Sequence, residues 1–391
     1  MATSGIVFGV NSVFAVRHLL PEILALVREM GMEATVVAPA QPGEDPGWVC
    51  PGVRFYPIPL KREISVFRDL WTLCLLWRLL RSIRPAVTNM STPKMGFLGG
   101  LAAWLSGVPH RIYTLRGLRY ETTRSWKRAL LIACERIACL TAHHVICISR
   151  SVKDTVLRGG IADEAKLVLL GERASEGIRL ESNSIGIGST LALRRRLGIP
   201  EGSPVLGFVG RLTRDKGVEE LVESFRILLS EGRDVHLLVL GELESGDPVN
   251  PATIDWIRTC PQVHWPGYVA DPTPYYPLMD VFVFPTHREG LGKVLLEAAA
   301  AAKPVVSTRT TGVVDVVIDG VTGILVPSQD SASLAQATGR LLDDQSLARR
   351  MGQAAHCLVR EQFDNSVYLT RLGNMLQALV SGDPVPAGRA D

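Results

Sequence analysis

Several features are scarce in this chain of 391 residues, and each scarcity removes a class of function. The seven cysteines, at positions 50, 74, 134, 139, 147, 260 and 357, form no C-x-x-C pair. An odd count without pairing motifs argues for buried free thiols over a disulfide framework. The histidines are scattered, with no H-E-x-x-H or comparable ligand spacing, so neither a structural nor a catalytic zinc is expected. No G-x-G-x-x-G follows the first strand-like run. The nearest string, Gly186-Ile187-Gly188, lacks the third glycine and falls between the two halves of the chain, which disfavours a nicotinamide or flavin dinucleotide. The uncharged run from Met95 to Pro109 is shorter than the ~20 residues a membrane span needs. Its glycines suit a loop leading into a buried helix. The opening MATSGIVFGV has no basic region and no cleavage pattern, so it reads as a first strand, and the protein is expected in the cytosol.

What is present points to a two-domain globular protein. The length exceeds what one core organises, and 47% hydrophobic with 21% charged residues supports substantial burial. The net charge of +3 is unevenly spread. Residues 1–180 hold 23 Lys and Arg against 14 Asp and Glu, the remainder 19 against 25, and residues 54–136 alone 15 against 4. A basic first half suits an anionic partner such as a phospholipid surface or a phosphorylated acceptor. No nucleic-acid-binding motif accompanies the charge, so nucleic acid is not expected.

The runs GIVFGV, EATVVAP, HHVICIS, VLGFVG, VHLLVLG, DVFVFPT and KPVVST are short, Val- and Ile-rich, and separated by helix-length segments. That alternation predicts an α/β protein with two doubly wound, Rossmann-like parallel-sheet domains facing across a cleft. The expected division is residues 1–180, an interdomain region 181–202, and a second domain 203–363. A helix over 364–380 would pack back toward the first domain, and 381–391 would form a mobile tail. Ligands of such sheets bind beyond the carboxyl ends of the strands.

Two stretches of the second half carry chemistry. In "GFVGRLTRDKG", Gly210 and Arg211 end a strand and Lys216 precedes a helix, so two cations sit where a diphosphate could be neutralised. In "HREGLGKVLLEAAAAAKPVV", helix signals place an N-terminus near Gly290 to Lys293. Backbone N–H groups and the positive end of the helix dipole favour anions there, and glycines permit close approach. Glu289 and Glu297 lie roughly 12 Å apart along a helix axis and about 80° around it, so both can look into one cleft. Capping and solvation are the alternative for two glutamates at a helix start. No D-x-D metal motif appears in this half.

The ordered set "GFVGRLTRDKG", Gly241-Glu242, "WPGYV" and E-G-L-G-x-x-x-x-E resembles the donor-binding domain of glycosyltransferase family 4, which has the glycosyltransferase-B fold. The resemblance implies a retaining hexosyltransferase whose Arg211 and Lys216 hold the donor diphosphate and share the catalytic role with Glu289 and Arg116. It implies donor binding by Gly210, Arg211, Lys216, Glu289, Gly290, Leu291, Gly292 and Glu297, with Tyr268 and Val269 at the base. No cofactor and no metal are implied, the nucleotide sugar being a substrate.

In the first half, "PLKREISVFRDL", "STPKMGFLGGLAA" and "YTLRGLRYETT" resemble bacterial enzymes that build polysaccharides or glycolipids on polyprenyl-linked acceptors. That implies acceptor contacts from Lys94, Arg116 and Arg119. Leu70, Leu73, Trp77 and Leu80 share one helix face flanked by Arg78, Arg81 and Arg84. Such a face either lies on an anionic bilayer or packs on its own sheet. The expected partners are therefore a nucleotide-sugar donor, a lipid-linked acceptor and the inner face of the cytoplasmic membrane. A nucleotide-sugar epimerase of the same architecture and a noncatalytic sugar-nucleotide-binding subunit are the alternatives.

Overall fold

The computed structural model describes residues 5–40, 52–60, 65–180 and 187–384. Cys50, the 181–186 part of the expected interdomain region with Gly186, and the tail from 385 lie outside them. Two compact units emerge: Met1–Glu176 together with Asn365–Asp391, and Gly177–Asp364.

The first unit carries a seven-stranded parallel sheet made of β1 (Gly5–Gly9), β2 (Glu33–Ala38), β3 (Arg54–Pro57), β4 (Val87–Ser91), β5 (His110–Leu115), β6 (His144–Cys147) and β7 (Leu167–Val168). Their spatial order is β3-β2-β1-β4-β5-β6-β7. Placing β1 beside β4 makes the switch point where such sheets take ligands. One face is closed by the helix Pro21–Glu29 and the returning helix Asn365–Ser381. Ile23, Leu24 and Val27 of the former share a core with Tyr368, Leu372, Met375 and Leu376 of the latter.

The glycine-rich run after β4 departs from the expectation of a loop: it is the helix Pro93–Leu105. Glycine disfavours helix by about 1 kcal/mol per residue, and here packing outweighs that cost. A Cβ on Gly96 would overlap the Tyr113 ring, one on Gly99 would come within 2.6 Å of Met90 Sδ, and one on Gly100 would lie 2.9 Å from Thr141 Oγ1.

Behind this helix lies a buried carboxyl. Glu135 is 3% exposed and accepts a 2.5 Å hydrogen bond from the Tyr113 hydroxyl. Burial pushes it up from 4.5 to about 7, against the opposing hydrogen bond. Because the folded group ionises later than the unfolded one, stability falls as pH rises from 4.5 to about 7 and stays lowered above that. Glu135→Gln keeps the hydrogen-bond acceptor. The variant is expected to match wild type near pH 4.5 and to gain up to about 3 kcal/mol at pH 8. Paired thermal melts across this range check it, and an unchanged gap between the two proteins contradicts it.

The second unit is a six-stranded parallel sheet of β8 (Val205–Val209), β9 (His236–Leu240), β10 (Val263–Gly267), β11 (Val281–Phe284), β12 (Val305–Thr308) and β13 (Gly323–Val326). The order is β10-β9-β8-β11-β12-β13, again with a switch point, between β8 and β11. The helices Val218–Ser230 and Ser331–Asp343 bury Leu221, Phe225, Leu334 and Leu341. The alanine run closes the helix Lys293–Ala300, with Ala298 and Ala299 buried.

The helix Val66–Ile83 divides its apolar residues. Thr72, Leu76 and Leu80 are buried, and Leu73 and Trp77 are packed against the core of their own unit, while Leu70 at its start remains exposed. No helix among the described residues is long and apolar enough to cross a membrane.

Candidate functional site

The loops following β8, β9, β11 and β12 of the second unit meet at the carboxyl edge of its sheet. Backbone bonds knit the first two, with Gly210 N–H donating to Leu240 O at 2.9 Å and Leu212 N–H to Glu242 O at 2.8 Å. Gly241 has no room for a side chain, since a Cβ would fall on the carbonyl oxygen of Gly210. The Arg214–Lys216 turn ends at Gly217, whose φ of +71° begins the helix Val218–Ser230. There too a Cβ would overlap a carbonyl oxygen, that of Pro285.

That close approach brings Lys216 to Glu289. The two form an ion pair with side chains only 13% and 14% exposed, and the ammonium also sits 5.5 Å from the Phe284 ring centroid. Arg211 pairs with Glu244 and is more open, 45% exposed. Beyond Glu289 the chain runs through Gly290, the buried Leu291 and Gly292, whose φ of +74° starts the helix Lys293–Ala300. Its N-cap residue, Gly292, brings no side chain to cap it. Gly312, after β12, holds the loop from the other side, where a Cβ would lie 2.6 Å from Gly290 C.

Glu297 is partly buried one turn further on and accepts a 2.7 Å hydrogen bond from the Tyr276 hydroxyl. Burial raises its carboxyl above the usual range, against that hydrogen bond and Lys293. Tyr268, half exposed, and Val269 follow β10 on the same edge. The structure thus gathers Gly210, Arg211, Lys216, Glu289, Gly290, Leu291, Gly292 and Glu297 on the loops and helix that leave the carboxyl ends of β8 and β11.

Lys94, Arg116 and Arg119 belong to the first unit, on the segments that follow β4 and β5. Lys94 Nζ lies 2.7 Å from Asp69 Oδ1. Arg116 is clasped by Glu176 at 2.9 and 2.7 Å. Burial works against its charge, yet Glu176 outweighs burial and holds the guanidinium above its ordinary value. Arg119 lies in a single turn at Arg119–Glu121.

Sequence reasoning missed the residues that hold these loops together. Asp215 takes a 2.6 Å hydrogen bond from Thr213 Oγ1 and a 2.8 Å one from Arg288 Nη2. Burial works to raise its carboxyl, but Thr213 and then Arg288 outweigh this and keep it below the ordinary aspartate range. His287 faces Glu220 at 3.0 Å. Both Asp215 and Arg288 stand inside the quoted motifs, next to the residues singled out, and the signal was only that adjacency.

Comparison with known proteins identifies the family and the fold. A family model described as "Glycosyl transferases group 1" matches residues 203–344, and one described as "Glycosyl transferase 4-like domain" matches residues 16–171. The chain is 37% identical to the capsular polysaccharide biosynthesis glycosyltransferase CapM of Staphylococcus aureus, over 81% of this chain and 83% of that one. It is 25% identical to the UDP-Gal:alpha-D-GlcNAc-diphosphoundecaprenol alpha-1,3-galactosyltransferase of Escherichia coli, over 75% and 76% of the two chains. The Anabaena protein Alr3699/HepE, solved in complex with UDP and glucose, superposes with a TM-score of 0.76 at 17% identity, covering 96% of this chain and all of that one.

Proposed function

Because the chain belongs to the group 1 glycosyl transferases, as a glycosyltransferase of polysaccharide biosynthesis with the glycosyltransferase-B fold, we propose the following reaction. It moves a hexose, N-acetylhexosamine or uronic acid from a UDP-linked donor to a polyprenyl phosphate- or diphosphate-linked acceptor, with retention at the anomeric carbon. The observation that carries this reading is the Lys216–Glu289 pair beside a helix start whose N-cap is Gly292. An arriving diphosphate competes for the Lys216 ammonium, which releases Glu289 to accept hydrogen bonds from the sugar hydroxyls. Arg211 and Lys216 then stabilise the charge that grows on the departing phosphate as the anomeric C–O bond breaks. That phosphate oxygen takes the proton of the acceptor hydroxyl attacking from the same face. Two fixed cations do the neutralising, so transfer is expected to survive removal of divalent metal by chelation. The choice of donor and acceptor class draws on the name of the Escherichia coli relative and the UDP seen in the Anabaena protein.

Purified protein incubated with bacterial membranes and radiolabelled UDP- and GDP-sugars tests it: label should enter the organic extract from a single donor. Interconversion of a UDP-sugar without acceptor would instead reveal an epimerase. Donor binding without any product would leave a noncatalytic binding subunit.

The acceptor's lipid calls for a surface, and the first unit offers one. Helices that return from strand ends in a parallel sheet start at its carboxyl edge. On Val66–Ile83 and Trp126–Thr141 those starts expose Phe67 at 89%, Trp126 at 68%, and also Val66, Leu70 and Trp71. Arg68, Lys127 and Arg128 stand among them. Aromatic and basic side chains together suit the headgroup layer of an anionic bilayer. The double change Phe67→Ser and Trp71→Ser is expected to weaken binding to phosphatidylglycerol vesicles by roughly tenfold or more. Co-sedimentation measures this, and equal binding by both proteins speaks against attachment here.

A further inference from the structure

The three residues before Glu289 are all fastened to the segment that carries Lys216. Thr286 Oγ1 donates to Asp215 O at 3.1 Å, and His287 N–H donates to the same oxygen at 2.8 Å. The His287 ring meets Glu220 Oε1 at 3.0 Å, and Arg288 Nη2 reaches Asp215 Oδ2 at 2.8 Å. Asp215 is held in turn, by Thr213 Oγ1 at 2.6 Å and by its own N–H donating to Asp247 Oδ2 at 2.9 Å. Its carboxylate therefore spans two loops, one ending in the cation and one in the carboxylate of the Lys216–Glu289 pair.

Resting on the donor-site reading above, we propose that Asp215 is a positioning residue, which through Arg288 and residues 286 and 287 sets the 289–292 loop against Lys216 so that together they grip a diphosphate. Asp215 points its charge at Arg288 and Thr213, so its effect on the donor is carried by geometry. This gives the test a sign. Asp215→Asn removes a negative charge near an anion site, and electrostatics alone would tighten UDP. Positioning demands the reverse.

Titration calorimetry with UDP, UMP, GDP and GMP, on wild type, Asp215→Asn, Lys216→Ala and the double variant, reads this out. Asp215→Asn is expected to weaken the bound nucleoside diphosphate by roughly tenfold and to leave the corresponding monophosphate within about twofold. Added to Lys216→Ala, it should cost nothing more, since the grip it serves is already gone. Should Asp215→Asn fold poorly, Thr213→Val keeps every charge, releases Asp215 Oδ1 while Oδ2 still faces Arg288, and should weaken the diphosphate selectively by about threefold. Equal loss for mono- and diphosphate, no loss, tighter binding, or an additive loss in the double variant overturns the proposal. Wild type that binds none of the four nucleotides overturns the donor reading itself, and the role of Asp215 with it.

Discussion

Lys216→Ala is expected to cut sugar transfer by about 10²- to 10³-fold if the proposed reaction holds, the usual consequence of deleting one fixed donor to a developing anion. The ammonium is nearly buried between the Glu289 carboxylate and the Phe284 ring, where water screens it poorly. Its loss also leaves Glu289 without its counter-charge at the point where the sugar would sit. Lys216→Arg should rescue little, since a planar fork does not fit a slot shaped for a compact ammonium. Arg211→Ala should cost less, because that guanidinium is 45% exposed and shares its charge with Glu244. Label entering the organic phase under saturating donor measures all three. A Lys216→Ala enzyme within fivefold of wild type would remove the diphosphate cradle from the mechanism.

Gly217→Ala is the second large effect, and its cause is steric. The residue has a φ of +71°, and an added Cβ would land on the Pro285 carbonyl oxygen. Left-handed backbone at a non-glycine residue costs of order 1 kcal/mol, and the overlap forces apart the loops that carry Lys216 and Glu289. Together these predict a loss of roughly 3 kcal/mol in stability and of about 10²-fold in transfer. Gly232 supplies the control: its φ is +78°, yet nothing lies within 4 Å of its missing Cβ. Gly232→Ala should therefore show the backbone strain alone, with transfer intact. Melting temperatures and transfer rates for the two variants separate clash from strain, and equal transfer by both would refute the steric account.

The fold was legible where burial is apolar. Runs such as VLGFVG and DVFVFPT became β8 and β11 because strands covered on both faces must be Val- and Ile-rich. β4 escaped that signal: VTNMS is buried throughout but polar, with Asn89 Oδ1 accepting from Thr114 Oγ1 at 2.8 Å and the Thr88 hydroxyl left without a partner among the described residues. The glycine helix Pro93–Leu105 was misjudged because its glycines answer to Tyr113, Met90 and Thr141, none of them readable locally. The candidate site divides the same way. Arg211, Lys216, Glu289 and Glu297 stand in two short motifs that can be read directly along the chain. The Asp215–Arg288 contact joins residues 73 apart and Arg116–Glu176 residues 60 apart, and no period or spacing announces a partner at such a distance.

The course of the chain has a consequence for biogenesis. The second unit is inserted between Glu176 and Asn365 of the first, so Tyr368, Leu372, Met375 and Leu376 leave the ribosome after all of it. Until they arrive, Ile23, Leu24 and Val27 have only the sheet side of their core, with Ile6, Phe8 and Val36, in place. The unit synthesised last as one uninterrupted piece can thus mature before the one begun first, which must wait, greasy side open, for chaperones or for its final helix.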